Sequence, residues 1–191
     1  MNKLGWLLLL VFVGVAALFF AMLGPGEVEP EAGTDVADRS APASEDLVIP
    51  VAGVKPPALS DTWGDSRGGG TRRHNAIDIM APRGTPVVAA APGTVEKLFD
   101  SRNGGRTVYV RSGDNGTVYY YAHLDQYRAG LAEGQRVRTG DVIGTVGSTG
   151  SASPEAPHLH FEVKRMADGE GWWQGREVNP FPLLAGPAAA R

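Results

Sequence analysis

The chain has only four histidines, His74, His123, His158 and His160, and no cysteine. With no thiol for a disulfide, a nucleophile or a metal ligand, any metal or acid–base chemistry falls to imidazoles and carboxylates. The segment His158-Leu159-His160-Phe161-Glu162-Val163 alternates polar and apolar residues. On a β-strand successive side chains point to opposite faces. His158, His160 and Glu162 then share one face, while Leu159, Phe161 and Val163 share the other and suit a core. Such a strand is a rigid platform on which ligands can be held.

A second group lies upstream, in His74-Asn75-Ala76-Ile77-Asp78. Arg67-Gly68-Gly69-Gly70 precedes it, Ile77 and Ile79 flank Asp78, and Pro82 follows. This texture predicts a loop running into a strand, with His74 on the loop and Asp78 facing away from the core. Imidazole and carboxylate both suit zinc. His74, Asp78 and His160 together supply two imidazoles and one carboxylate, the three protein ligands of a catalytic zinc site with a fourth position left for water. Their combined charge of −1 leaves such a site net positive, able to acidify that water. A structural zinc site more usually has four ligands, commonly with cysteine. His123, at the end of Tyr120-Tyr121-Ala122-His123-Leu124, and His158 remain for acid–base work or for stabilising an oxyanion. Glu162 shares the strand face by parity; it either orients a ligand imidazole or is an exposed strand residue.

These residues need a scaffold of strands. Short β-branched runs cut by Gly and Pro predict strands over 77–80, 87–90, 94–99, 107–111, 117–122, 141–146 and 158–164. Asn103-Gly104 and Asn115-Gly116 are hairpin signals. After Leu23 no long stretch has a period of 3.6, so the expectation is a mainly β, antiparallel domain with helical pieces of a turn or two. The segments 81–95 and 132–147 echo each other, each with a Gly, a β-branched pair and a second Gly-x-Val.

The N-terminal part has another character. Leu4 to Leu23 is an uncharged run of 20 residues, roughly 30 Å as a helix, which matches a bilayer core. It is longer than the usual apolar region of a cleaved signal peptide and ends in a poor cleavage site, so it is read as a single transmembrane helix over 1–23. Lys3 before the run and acids after it place the remainder outside the inner membrane, in the periplasm, or secreted if the segment is cleaved. Residues 24–50 carry seven acids against Arg39 and are rich in Pro and Ala, the composition of a disordered acidic linker. Residues 51–191 carry 16 basic and 14 acidic side chains. That near-neutral domain has no basic cluster suited to nucleic acid.

The ordered motifs resemble a known family, the lysostaphin-type (LytM, β-lytic) zinc metalloendopeptidases. Asp61-Thr62-Trp63-Gly64, RRHNAIDIMAPRGTPVVAAAPGTV, YYYAHL, EGQRVRTGDVIGTVGSTG, PHLHFEV and Val178-Asn179-Pro180 carry the likeness, in the family's order, over roughly 51–184. The resemblance implies a compact antiparallel β-sheet or half-barrel with an open groove and one zinc held by His74, Asp78 and His160. It makes His123 and His158 catalytic. It also implies a peptidoglycan peptide substrate, cut in its cross-links or stem peptides. Segment 150–157 is longer and less Gly-rich than is common in the family. Arg72 and Arg73 either meet stem-peptide carboxylates or sit in a solvated loop, and Trp172-Trp173 either grips substrate or packs under its loop.

Two other readings are weighed beside this one. A membrane-anchored, non-enzymatic activator of cell-wall amidases, or a wall-binding module, would share the fold and need no zinc. A lipoyl- or biotinyl-type carrier would need a Lys at a hairpin tip. Lys55, Lys97 and Lys164, the lysines of residues 51–191, lie at no Asn-Gly turn.

Overall fold

The computed structural model describes residues 47–186. The predicted membrane segment and all but the last four residues of the predicted linker lie outside the described residues. Among the described residues no helix is long and apolar enough to cross a membrane.

Strands dominate: β1 (Ser66–Arg67), β2 (Arg72–Arg73), β3 (Ile77–Met80), β4 (Pro86–Val88), β5 (Gly93–Ser101), β6 (Gly105–Arg111), β7 (Thr117–Tyr127), β8 (Arg136–Val137), β9 (Val142–Val146), β10 (His158–Arg165) and β11 (Arg176–Val178). One short helix, α1 (Phe181–Ala185), and two 3-10 turns complete the described elements. Mainly antiparallel β with little helix is what the β-branched texture predicts. Each of the seven expected strands is present, and β7 runs past its expected end at Ala122 to Tyr127. The four unexpected strands, β1, β2, β8 and β11, have two or three residues each and leave no periodic signal.

The main sheet runs β11-β10-β7-β6-β5-β8, all antiparallel. The Asn103-Gly104 signal joins β5 to β6, and Asn115, at a φ of 63°, turns β6 into β7. The two echoing segments pair crosswise: β4 lies on β9, and β5 lies on β8. Each unit therefore lends its first strand to the other's second.

Strand β10 is the axis of the site. On one side it pairs with β7, and on the other with β3 over His158–Phe161 and then β11 over Val163–Arg165. Its inward residues Leu159, Phe161 and Val163 are buried with Ile77 and Ile79 of β3 and Tyr121 of β7. Burial of each of these large side chains contributes roughly 1.5–3 kcal/mol. That packing fixes which face of each strand turns outward, so the core decides where the polar side chains go.

Candidate metal centre

Register brings the first pair together. His160 on β10 is the direct partner of Asp78 on β3, and on its other side of Ala122 on β7. In β3, Ile77 and Ile79 are buried and Asp78 points the other way. His74 sits in the loop between β2 and β3, only 4% exposed. Its ring reaches the same point: His74 Nε2 lies 3.0 Å from Asp78 Oδ1 and 3.1 Å from His160 Nδ1, and His160 Nδ1 lies 3.1 Å from Asp78 Oδ1. Two nitrogens and one oxygen thus form a nearly equilateral triangle. Ligands on a tetrahedral zinc with bonds of ~2.0–2.1 Å stand about 3.3 Å from one another. The donor set and its spacing fit that ion.

The hydrogen bonds behind the triangle fix which atom of each ring faces it. His74 Nδ1 lies 2.8 Å from the Thr62 carbonyl, which only accepts, and farther, 3.2 Å, from Arg67 Nη2, which only donates; the shorter contact puts the proton on Nδ1 and leaves Nε2 as the donor atom for a metal. His160 is held the other way round, its Nε2 donating to Glu162 Oε1 at 3.1 Å and its Nδ1 turned to the triangle. Glu162 is therefore the orienting carboxylate of a carboxylate–histidine pair, and the alternative of an idle exposed residue is closed. Arg67 donates to Asp78 Oδ2 at 2.8 Å, which leaves Oδ1 for the centre. Thr62 adds a second restraint, its Oγ1 accepting the Asp78 backbone N–H at 3.0 Å.

Electrostatics follow the same contacts. Burial alone would raise the Asp78 carboxyl, but hydrogen bonds from His160 and His74 outweigh it and hold the group well below the ordinary carboxylate range. Burial likewise disfavours the charged form of His160, yet its bonds to Asp78 and Glu162 push that imidazole up to about 9. His160 thus stands between two carboxylates, a place that favours positive charge.

His158 and His123 flank the triangle. His158 donates from Nδ1 to the Ala156 carbonyl at 2.8 Å, and its Nε2 lies 3.7 Å from Asp78 Oδ1. His123 donates from Nδ1 to the Thr149 carbonyl at 2.8 Å. The two rings lie 5.0 Å apart, and His123 lies 5.5 Å from His160. In each ring Nδ1 is committed to the backbone and Nε2 is the remaining nitrogen. Burial first, then neighbouring His160, pushes the His123 imidazole down to about 4, so it is neutral at physiological pH.

The placement of His123 has a backbone cause. Its φ is 59°, in the left-handed region that non-glycine residues seldom enter. The β6–β7 register shifts here, with Val108 opposite Tyr121 but Arg106 opposite Leu124. Beyond this bulge β7 turns from β10 to pair with β9. Bulges re-aim side chains in this way, and strained residues cluster at functional sites.

All five predicted site residues line one groove, a cavity of about 390 Å³. Arg67, Arg72 and Arg73 form part of its wall, with Asn103, Tyr120, Glu162 and residues 151–153 also lining it. Asn75 lines it too. Sequence reasoning missed Thr62 and Arg67. Thr62 stands in the Asp61–Gly64 motif, the one available signal; Arg67 left none. Trp172 packs between Phe99 and Tyr109, whereas Trp173 is 63% exposed.

The chain also has recognisable relatives. The profile of Peptidase family M23 matches residues 72–180. The chain is 40% identical over 129 residues to an L-Ala--D-Glu endopeptidase of Bacillus subtilis (strain 168), covering 64% of this chain and 38% of that protein. It is 32% identical over 125 residues to the murein hydrolase activator NlpD of Escherichia coli (strain K12), covering 65% of this chain and 28% of that protein. This chain thus spans well under half the length of these relatives. The fold is similar to the catalytic domain of the antimicrobial peptidase lysostaphin from Staphylococcus simulans. There the TM-score is 0.55 at 28% identity, over 66% of this chain and 90% of that one.

Proposed function

Because the chain belongs to Peptidase family M23, we propose that it is a zinc-dependent endopeptidase hydrolysing the peptide cross-links or stem peptides of bacterial peptidoglycan. The observation that carries this reading is the triangle of His74 Nε2, Asp78 Oδ1 and His160 Nδ1, spaced for a tetrahedral ion and backed by fixed tautomers. These three residues hold one zinc. When bound, zinc supplies a Lewis acid that polarises a peptide carbonyl and lowers the pKa of water.

The remaining roles belong to the protein. The groove admits an extended peptide. His123 and His158 accept a proton at Nε2, because their Nδ1 protons are committed to the Thr149 and Ala156 carbonyls. Once protonated, the same Nε2 atoms donate to a developing oxyanion or to the leaving amine. Arg67 and Glu162 keep Asp78 and His160 in place and touch no substrate atom in this scheme. Localisation belongs to the same proposal: a chain held in the inner membrane by residues 1–23, with the domain outside.

The test is metal analysis of the full-length protein in detergent, together with digestion of purified peptidoglycan with and without chelator. One zinc per chain and chelator-sensitive release of peptides are expected. His158→Ala should keep the zinc and lose at least ~10²-fold in rate, by the scale of single catalytic hydrogen-bonding groups. The similarity to a murein hydrolase activator keeps one other reading in view, an activator of cell-wall amidases. Folded protein that binds no zinc and releases no peptide, yet stimulates an amidase, would establish that reading instead.

A further inference from the structure

We infer that the groove selects peptides bearing a free carboxylate beside the scissile bond, and that Arg72 is the residue that reads it. This inference rests on the peptidase reading and names its substrate class.

The basis is an unbalanced pair of guanidiniums. Strands β1 and β2 form a small hairpin in which Arg67 and Arg72 are direct cross-strand partners. Directly opposed residues of an antiparallel pair project from the same face, and like charges there are destabilising. Arg67 is compensated: Asp78 Oδ2 lies 2.8 Å away and Asp65 Oδ2 lies 3.7 Å away. Arg72 is exposed, and its side chain has no hydrogen bond or ion pair among the described residues. Arg73 beside it makes one bond, to the Gly64 carbonyl, and meets no acid among the described residues.

The acids of the groove do not offset this charge. Asp78 is engaged by Arg67 and the histidines, Glu162 by His160 and Lys164, and Glu177 faces Lys164 at 3.9 Å. The wall at 151–153 presents serines and an alanine and adds no cationic side chain. An incoming peptide therefore meets uncompensated guanidinium at the hairpin and uncharged side chains at 151–153. A carboxylate on the hairpin flank would satisfy Arg72 by a bidentate, charge-assisted pair and relieve its repulsion with Arg67. An uncharged run such as oligoglycine gains nothing there.

The test uses full-length, zinc-loaded protein and two synthetic stem-type peptides that differ in one group, a free side carboxylate in one and its carboxamide in the other. The wild type should favour the carboxylate peptide by about tenfold or more in kcat/KM, the size of one charge-assisted hydrogen bond. Raising the salt should shrink that preference, since Arg72 is exposed. In Arg72→Gln the ratio should fall to near one, and in Arg72→Lys it should fall only partly. Equal use of both peptides by the wild type, or an undiminished preference in Arg72→Gln, overturns the inference. If neither peptide is cut, the peptidase reading fails. Titrating the same two peptides for binding still decides this one, because equal affinity would refute it.

Discussion

At the scale of residues, the centre is a small electrostatic device. His160 stands between Asp78 and Glu162, and their hydrogen bonds push its imidazole up to about 9 in the metal-free protein. A metal can take Nδ1 only when that nitrogen has lost its proton. The sign follows from linkage: a raised histidine pKa stabilises the metal-free fold below the ordinary value near 6.5, and this stability is lost as pH rises through about 9. Zinc affinity should therefore rise about tenfold per pH unit between roughly 6.5 and 9, one proton being released per ion. The gain in melting temperature on adding zinc should widen over the same window. A zinc affinity flat across that range would show that binding displaces no proton from His160. Part of this device was legible from strand parity, since a polar face carrying His158, His160 and Glu162 follows from alternation alone. Thr62 and Arg67 were not legible as its supports. Their partners lie 12–16 and 11 residues away in sequence, and neither periodicity nor local pairing encodes such contacts.

At the scale of elements, the centre depends on three adjacent strands and on one loop that meets another. Seven of the strands were readable from β-branched runs and Asn-Gly turns. The bulge at His123 was not, because nothing in Tyr120-Tyr121-Ala122-His123 announces a left-handed φ at a non-glycine residue. Its cause lies in a backbone contact far along the chain. The turn at 103–105 packs directly on Thr149-Gly150; a Cβ on Gly150 would collide with the Gly105 amide nitrogen and the Asn103 carbonyl oxygen, and its φ is +72°. That contact sets Thr149, whose carbonyl holds His123 and whose Oγ1 donates to the Leu124 carbonyl and accepts from the Arg106 amide. Gly150→Ala should therefore cost about 1–3 kcal/mol of stability, since backbone on both sides leaves no flexible atom to yield. The same variant should retain one zinc per chain while kcat falls, because the loop orients His123 and not the three donors. Unchanged melting temperature and kcat would break the link between this loop and His123, whereas loss of zinc would tie it to the ligands.

At the scale of the whole molecule, the chain combines a nearly neutral domain, an acidic stretch and an uncharged run of 20 residues from Leu4 to Leu23. The motif Val178-Asn179-Pro180 shows how the far end of the domain reaches back to the site. Asn179 Nδ2 approaches Asp61 at 3.4 Å, and Asp61 in turn accepts the Trp63 amide beside Thr62, which restrains both His74 and Asp78. The donors thus depend on contacts within the described domain. Metal binding and membrane attachment should then be separable. The full chain should cofractionate with inner membranes through high-salt and alkaline washes and leave them only in detergent, as an apolar run of this length requires. A chain starting at residue 47 should purify without detergent, bind one zinc and hydrolyse soluble stem peptides at the same rate as the full chain, while no longer sedimenting with membranes. Full chain recovered in the soluble fraction, with a mass starting after Leu23, would replace anchorage by secretion. A truncated chain that loses zinc would show that the N-terminal residues support the centre after all. Either result redraws how the proposed hydrolase would meet the wall, because a tethered groove acts within a fixed distance of the membrane and a released one does not.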